Sequence, residues 1–576
     1  MDVTPYLDLN IAPRAVFDSL EERRSRVRFM LPEDGDWRAV TWQAYADQIR
    51  RIGQFLIDAG IKSGERVAIY SPNRVEWISA ALAIQAVGGV MVPIYPSSTA
   101  EQAAYIVEHS DARLVFADTP LILERIFEEW PAYESVLRVV TFSDDLNAAE
   151  ALKRARAASE VAATFGEVET RITPLNRALE LGKSLDEENP ARFDDAMEKV
   201  SLDQNGVMLY TSGTTGRPKG VPLTHRNIAV NGRDWLQCNA SKIEERAVDI
   251  LWLPLSHIFG FGEACLGNTL GFTTYMSDPM TVLERLPEVR PSVFMSVPRY
   301  FEKLAEAATA DHRGDRKKQV ARLDELTGGN LQFALSGGAG LTREVKDLFF
   351  EAGVLIIEGY GLTEASPTLT LNRPDAFRFD SVGKPLPSVD IKLAADGEIL
   401  ARGESIFEGY HKNPQATADT FTEDGWLKTG DLGRFTDDGF LQIIGRKKEI
   451  LVTAAGKNIA PVRIEDHFVD DPYILQVLVY GDAKKYLVAG VWINENTVKE
   501  KLGDDAGERA VRGLLEPRIE AVNSALASYE TIKKFAVIEE PLTVENGLLT
   551  PTLKVKRKKV YDAFEDIFEG LYGTKK

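Results

Sequence analysis

The chain has 576 residues, more than one hydrophobic core usually supports, so two or more domains are expected. Its formal net charge of −19 argues against a nucleic-acid-binding protein, because little in the chain would offset repulsion by the phosphates. The two cysteines, Cys238 and Cys265, lack CxxC spacing and no signal-peptide pattern opens the chain, which predicts a cytoplasmic protein without disulfides or a zinc site.

Short β-rich runs alternate with helix-period segments from about residue 40 to residue 440. Helical segments such as Val75–Ala86 carry apolar residues at three- and four-residue spacing. This alternation predicts an α/β fold with stacked, largely parallel sheets covered by helices. The strand candidates are Arg66–Tyr70, Val90–Ile94, Leu114–Ala117, Val136–Phe142, Gly206–Tyr210, Ile250–Leu255, Ser292–Val297, Leu331–Leu335 and Val354–Ile357.

The longest apolar stretch, Trp77–Tyr95, contains Gln85, two glycines and Pro93. Its composition predicts a buried helix, a turn and a strand, and it argues against a membrane span.

The chain divides by composition into two domains. Residues 144–203 are rich in alanine and charged residues, which predicts solvent-exposed helices or an insertion. A polar junction at residues 445–448 follows an apolar run, and a second series of strands and helices begins after it. We therefore expect a large N-terminal domain (1–444), a hinge (445–448) and a small α+β C-terminal domain (449–576).

Residues 210–221 predict a phosphate-binding loop. Their sequence is Tyr-Thr-Ser-Gly-Thr-Thr-Gly-Arg-Pro-Lys-Gly-Val, between an apolar strand and a helix-compatible stretch. Backbone amides and hydroxyls of such a turn can surround phosphate oxygens, and Lys219 supplies the cation. It is not a Walker A loop, because Gly220 follows Lys219 where that motif needs Ser or Thr. The proposed phosphate contacts are Thr211, Ser212, Gly213, Thr214, Thr215, Gly216 and Lys219.

Four further segments carry polar or glycine patterns that suit a nucleotide. The run Glu358–Glu364 presents a tyrosine between two glycines to a flat partner and ends on a hydroxyl and a carboxylate. The other three are the glycine turn after Leu335, an aspartate after a Thr-Gly turn, and the arginine of the junction. The candidate residues are Gly338, Ala339, Glu358, Gly359, Tyr360, Gly361, Thr363, Glu364, Asp431 and Arg446.

Together and in this order, these motifs resemble those of the adenylate-forming superfamily, and in particular its acyl-CoA synthetases. The resemblance runs from about Thr41 to Lys559. Three segments are similar to the bacterial long-chain fatty-acyl-CoA synthetases, namely Leu253–Phe259, Phe407–Pro414 and Gly547–Arg557. The resemblance to this superfamily implies a large α/β domain followed by a small mobile domain.

The resemblance also implies a two-step reaction with ATP, Mg²⁺ and coenzyme A. A fatty carboxylate attacks the α-phosphate to form acyl-AMP, and the thiol of coenzyme A then displaces AMP. The phosphate loop and Thr363 would hold the triphosphate, and Glu364 would hold Mg²⁺. Tyr360 would pack on adenine beside Gly338 and Ala339, and Asp431 and Arg446 would bind ribose.

A lysine on the small domain would complete the first step. Lys554 aligns with the catalytic lysine of the family, Lys448 with its hinge and Gly456 with its pantetheine channel. The acyl pocket would be lined by His257, Phe259 and Phe261. Many long-chain members have Glu-Arg where this chain has Gly260-Phe261, so the acyl chain length stays open.

Three alternatives remain. The enzyme could load a separate carrier protein, it could activate an aryl or short-chain acid, or the chain could bind nucleotide without catalysis. Weak peripheral membrane association is compatible with a substrate that partitions into bilayers, although the net charge opposes adsorption to anionic lipid. The oligomeric state cannot be predicted from the sequence.

Overall fold

The computed structural model describes residues 2–144, 146–211, 217–244, 246–310, 312–469, 471–504 and 506–573. Its strands, in chain order, are β1 (Val27–Glu33), β2 (Asp36–Thr41), β3 (Arg66–Tyr70), β4 (Val90–Ile94), β5 (Ala112–Ala117), β6 (Arg138–Thr141), β7 (Ile172–Pro174), β8 (Asn205–Thr211), β9 (Lys219–Thr224), β10 (Val248–Leu251), β11 (Thr273–Met276), β12 (Val293–Ser296), β13 (Phe333–Ser336), β14 (Ile356–Gly361), β15 (Thr368–Leu371), β16 (Lys384–Pro385), β17 (Val389–Leu393), β18 (Glu398–Gly403), β19 (Leu427–Phe435), β20 (Leu441–Arg446), β21 (Leu451–Val452), β22 (Asn458–Ile459), β23 (Ile474–Tyr480), β24 (Leu487–Ile493) and β25 (Ile532–Val537).

The helices, in the same order, are α1 (Arg14–Phe17), α2 (Leu20–Arg23), α3 (Trp42–Asp58), α4 (Val75–Ala86), α5 (Ala100–Ser110), α6 (Pro120–Glu128), α7 (Ala148–Ala158), α8 (Phe165–Arg171), α9 (Leu175–Glu188), α10 (Ala191–Glu198), α11 (His225–Asn239), α12 (Ile258–Leu270), α13 (Val282–Val289), α14 (Pro298–Ala310), α15 (Arg316–Thr327), α16 (Arg343–Glu351), α17 (Pro414–Thr420), α18 (Pro461–Glu465), α19 (Glu495–Leu502), α20 (Glu508–Ala525), α21 (Arg557–Ala563) and α22 (Glu565–Gly570).

Two large sheets form the N-terminal part. One has the strand order β7-β6-β5-β3-β4-β8-β9 and is parallel up to the antiparallel pair β8–β9 at its edge. The other has the order β16-β15-β14-β13-β12-β10-β11-β1-β2, with parallel pairs from β14 to β1 and antiparallel pairs at both ends. The predicted α/β architecture with mixed and parallel sheets is confirmed.

The apolar stretch Trp77–Tyr95 forms most of helix α4, a turn and strand β4, as its composition predicts. Helix α4 is buried over nearly its whole surface, and every residue of β4 is buried. A segment covered on all sides has no polar face, which explains why it resembles a membrane span in sequence. Within the described part of the chain, no helix combines the length and apolar character needed to cross a bilayer.

The segment 144–203 contains the helices α7–α10, whose residues are mostly exposed or half-buried, and two of these helices, α9 and α10, contact α3. Helix α9 packs along α3 so closely that a Cβ at Gly182 would lie 2.0 Å from the Arg51 carbonyl oxygen. Arg50 of α3 forms ion pairs with Asp186 at 3.4 Å and with Asp194 at 2.6 Å. The packing against α3 is therefore made by a glycine and by charged residues, which are residue types more typical of a solvent-exposed surface.

The C-terminal part is an α+β unit around the sheet β23-β24-β25. Successive residues of β23 alternate between two cores, with Val477 and Val479 packed on the side of α20 and Leu478 on the side of α21 and α22. This two-residue period gives the sheet two apolar faces, each covered by helix. A short 3₁₀ turn, Lys447–Glu449, joins this unit to strand β20.

Candidate active site

A cleft of about 2290 Å³ runs between the N-terminal sheets and the C-terminal unit. The carboxyl ends of β8, β13 and β14 open into it, which is where parallel α/β sheets usually bind ligands. Lys219, Glu364 and Asp431, which lie far apart in sequence, all line this one cleft.

The predicted ribose and adenine residues meet in a hydrogen-bonded group. The Tyr360 hydroxyl donates to Asp431 Oδ2 at 2.6 Å, and Arg446 Nε pairs with Asp431 Oδ1 at 2.9 Å. Burial raises the pKa of Asp431, and the Arg446 guanidinium opposes that shift. Strands β14, β19 and β20 each supply one member, so the group depends on the fold and not on any one segment.

The glycine turn after β13 forms another wall of the cleft through Gly338 and Ala339. Gly338 has a φ of +90°, a conformation that L side chains rarely adopt. Glu358 stabilises this turn, since Oε1 accepts from the Leu341 amide at 2.9 Å and Oε2 pairs with Lys346 at 2.7 Å. Both partners are protein groups, so Glu358 acts here by positioning the turn.

The phosphate side of the cleft is built on the β8–β9 hairpin. Thr211 at the end of β8 is paired with Lys219 at the start of β9, and both line the cleft. Burial lowers the pKa of Lys219, whereas the charge of Glu364 raises it. The remaining predicted phosphate contacts, Ser212, Gly213, Thr214, Thr215 and Gly216, lie outside the described residues.

Glu364 lies on a 3₁₀ turn, Thr363–Ala365, directly after β14. Its Oε1 accepts a hydrogen bond from the Tyr410 hydroxyl at 2.7 Å, and the Tyr410 ring centroid lies 3.9 Å from Lys219 Nζ. A carboxylate beside a threonine hydroxyl offers the hard oxygen ligands that Mg²⁺ prefers, so these residues fit the ion.

The C-terminal unit places Lys554 in the same cleft. The Lys554 side chain remains exposed to solvent at the cleft. Partial desolvation by the cleft walls and the Arg446 charge lower its pKa, and Asp431 raises it. The loop that carries this lysine is fastened to the N-terminal part, because Ser97 Oγ donates to the Pro551 carbonyl at 2.6 Å. Leu553, the preceding residue, has a φ of +61°, a strained conformation for a side chain of this size.

The acyl side of the cleft begins at helix α12. His257 caps this helix through Nδ1, which accepts from the Phe259 amide at 3.1 Å. Burial, together with the charge of Lys554, lowers the pKa of His257 to about 4, so its imidazole is neutral near pH 7.

Of the three predicted pocket residues, His257 and Phe259 line the cleft and Phe261 does not. Phe261 is 1% exposed, with its ring centroid 6.0 Å from that of Trp77. Two residues correspond to about 200° around a helix, so Phe259 and Phe261 point to opposite sides. The cleft face of α12 continues instead through Gly262, Glu263 and Leu266.

The two residues predicted to serve the second half-reaction, Lys448 and Gly456, lie in different surroundings. Lys448 belongs to the 3₁₀ turn at the junction and lines the cleft. Gly456 lies on an exposed turn with a φ of +73°, outside the cleft lining. This arrangement brings Lys554, and not Gly456, to the nucleotide residues.

Comparison with known families agrees with this geometry. Residues 17–411 match the family described as AMP-binding enzyme, and residues 448–576 match the AMP-binding enzyme C-terminal domain. The chain belongs to the AMP-binding enzymes. Long-chain-fatty-acid–CoA ligase FadD15 of Mycobacterium tuberculosis is 34% identical and covers 94% of this chain and 93% of that protein. Long-chain-fatty-acid–CoA ligase 5 of Rattus norvegicus is 29% identical over 93% of this chain and 84% of that protein.

Solved structures share the fold of this AMP-binding enzyme. The adenylation domain of a carboxylate reductase from Mycobacterium chelonae superposes with a TM-score of 0.82 at 24% identity, covering 99% of this chain and 93% of that chain. The corresponding domain from Segniliparus rugosus, solved with AMP and a carboxylic acid, gives a TM-score of 0.80 at 22% identity, covering 98% and 94%. The chain thus has the adenylate-forming α/β fold.

Sequence reasoning on this AMP-binding enzyme missed two polar residues of the cleft. Tyr410 lies in the segment Phe407–Pro414, which carried the resemblance without a role for the tyrosine. Glu263 on α12 is 1% exposed, and neither of its carboxyl oxygens has a hydrogen-bond partner among the described residues. Its position as a glutamate within an otherwise apolar helix could have marked Glu263 as a buried polar residue of the site.

Glu263 predicts a measurable pH dependence of stability. Burial raises its pKa well above the usual range, and the charge of Asp249 adds to this shift. Between the unfolded and folded pKa values the folded state holds the extra proton. Stability therefore falls as pH rises through this window, by up to about 1.4 kcal/mol per pH unit. Glu263→Gln removes this titration, so its thermal midpoint should fall less than that of the wild type between pH 5 and pH 8.

Glu284→Gln, on the exposed side of α13, is the matched control and should follow the wild-type pH profile. An unchanged slope in Glu263→Gln would assign the titration to another group, such as Asp249, whose pKa burial raises to about 6.

Proposed function

We propose that this protein activates a medium- or long-chain fatty acid, first to acyl-AMP and then to acyl-CoA, with release of pyrophosphate and AMP. The observation that carries the proposal is the presence of Lys554 in one cleft with the Asp431–Arg446 pair and with Lys219 and Glu364. The curated relatives named above are long-chain-fatty-acid–CoA ligases, which favours this substrate class over aryl or short-chain acids.

The first step joins two anions, so its barrier is electrostatic. The substrate carboxylate oxygen attacks the α-phosphorus of ATP, and the bond to the leaving pyrophosphate breaks. Lys219 and the phosphate loop would hold the triphosphate, while Lys554 would bridge the carboxylate and the α-phosphate. Mg²⁺ on Glu364 would neutralise part of the phosphate charge. Cations held in place before the reaction stabilise the charge that develops in the transition state without further reorganisation.

In the second step the thiol sulfur of coenzyme A attacks the acyl carbonyl carbon, and the acyl–oxygen bond to AMP breaks. Lys554 has no role in this step, and Gly456 would line the channel for the pantetheine arm. The exposed position of Gly456 in this arrangement is consistent with a rotation of the C-terminal unit about the hinge at Lys448.

Two assays test the proposal. Exchange of pyrophosphate into ATP should require the fatty acid, and AMP release should require coenzyme A as well. AMP release with a holo-carrier protein but not with coenzyme A would indicate a carrier-loading ligase instead. If no carboxylic acid supports exchange of pyrophosphate into ATP, the protein would instead be a nucleotide-binding paralogue without catalytic activity.

Chain length should have a graded effect on the reaction. Each buried methylene contributes about 0.8 kcal/mol, so kcat/KM should rise about fourfold per added carbon. The rise should stop where the channel beside α12 ends. A series of saturated acids from C4 to C20, assayed by coenzyme A-dependent AMP release, measures the slope and its limit. A flat series with a preference for aryl acids would contradict the assigned substrate class.

A further inference from the structure

Tyr410 is packed between Lys219, the predicted phosphate-binding cation, and Glu364, the predicted Mg²⁺ ligand. Its side chain is 9% exposed, its amide donates to Thr417 Oγ1 at 2.9 Å, and its ring meets Phe407 edge-on at 4.9 Å. The hydroxyl donates to Glu364 at 2.7 Å, while the ring faces the Lys219 ammonium at 3.9 Å. One side chain therefore contacts both the carboxylate and the cation of the phosphate side.

The backbone around Tyr410 strengthens the same connection. The Phe407 amide donates to the Glu364 carbonyl at 2.9 Å, and the His411 amide donates to the Gly220 carbonyl at 2.9 Å. The segment thus binds the turn that carries Glu364 on one side and the strand that carries Lys219 on the other. A displacement of either group would break at least one of these bonds.

Tyr410 also affects how the two charges meet. Although both line the cleft, Lys219 and Glu364 form no direct ion pair in the described part of the chain. A direct pair would consume the cation needed for phosphate and the carboxylate needed for metal. The phenol satisfies one carboxylate oxygen without adding charge, and its ring stabilises the ammonium by a cation–π contact.

We propose that Tyr410 is a positioning residue that keeps Lys219 and Glu364 apart and orients the Glu364 carboxylate for Mg²⁺. This inference rests on the proposed function, since it concerns the Mg²⁺–ATP site. Groups that hydrogen-bond a metal ligand from behind typically change metal affinity about 10- to 100-fold when removed. Loss of the Tyr410 hydroxyl should therefore weaken Mg²⁺-dependent binding, whereas loss of the ring should also weaken binding of the phosphates alone.

Calorimetric titration of the full-length protein with ATP, without fatty acid, measures binding in the absence of turnover. Tyr410→Phe keeps the ring over Lys219 and should lower ATP affinity at least about tenfold in Mg²⁺ but leave it unchanged in EDTA. Tyr410→Leu also removes the cation–π contact and should lower affinity in EDTA by about two- to fivefold.

Tyr480→Phe is the matched control, because Tyr480 donates to Glu569 at 2.8 Å and Lys484 pairs with that carboxylate, outside the cleft. It should bind ATP like the wild type in both conditions.

The outcomes separate this inference from the proposed function. A wild-type protein that does not bind ATP would overturn the proposed function. Wild-type binding with an unchanged Mg²⁺ dependence in Tyr410→Phe would overturn the positioning role alone. An equal loss of affinity in Mg²⁺ and in EDTA for Tyr410→Phe would assign the residue a purely structural role and also overturn it. Because Tyr410→Phe keeps the buried ring, the test does not depend on the more disruptive leucine variant.

Discussion

Replacing Lys554 by alanine is expected to abolish formation of acyl-AMP while largely sparing thioester formation from acyl-AMP supplied in the assay. The lysine shares the cleft with Asp431 and Arg446, and its charge depresses the pKa of His257. An ammonium at this point can offset the repulsion between carboxylate and α-phosphate. Removing one such preorganised group typically costs about 10²–10³ in rate.

Two rates measured on the same variant decide this prediction. Pyrophosphate exchange reports the first half-reaction, and coenzyme A-dependent consumption of prepared acyl-AMP reports the second. Lys533→Ala is the matched control, since it removes an exposed lysine of the same C-terminal unit that does not line the cleft, and it should leave both rates unchanged. Equal loss of both half-reactions in Lys554→Ala would mean that the lysine supports the fold of the cleft instead of the first step.

The α/β fold and the outline of the cleft could be predicted because their signals are contiguous. Alternating strand and helix patterns indicate the sheets, and glycine turns after Leu335 and Tyr210 mark strand ends where ligands bind. The same patterns locate Tyr360 and Asp431 on separate elements. Their hydrogen bond at 2.6 Å could not be predicted from the sequence, because the order of strands in the sheets determines which strand ends are neighbours.

The direction of side chains was less predictable. Phe261 lies just after the segment Leu253–Phe259, where the chain departs from the family pattern, and it was predicted to line the acyl pocket. Helical geometry turns it toward Trp77 instead. Glu358 lies in the nucleotide motif, yet its carboxylate is bound by Lys346 and by the glycine turn. Tyr410 contacts Glu364 and Lys219, which are distant from it in sequence, and no local sequence pattern predicts such contacts. Sequence motifs therefore predicted which elements meet at the site better than which atoms face it.

The prediction with the next largest effect concerns the junction between the two domains. Lys448→Pro should slow thioester formation at least about tenfold, equivalent to about 1.4 kcal/mol, while pyrophosphate exchange continues. Proline fixes φ near −65°, a value typical of the 3₁₀ turn Lys447–Glu449 that the junction forms here. The variant can therefore adopt the arrangement with Lys554 in the cleft, but it resists any rotation that requires another φ at this residue.

Lys448→Ala separates the backbone effect from the charge. It removes the ammonium, which lowers the pKa of Lys219 in the wild type, but leaves φ free. We expect this control to retain both half-reactions. A proline also disfavours helical φ/ψ at the preceding residue, Lys447, and strain there would reduce pyrophosphate exchange as well. Loss of the second rate alone would locate the hinge at Lys448, whereas two unchanged rates would place the rotation at another residue of the junction.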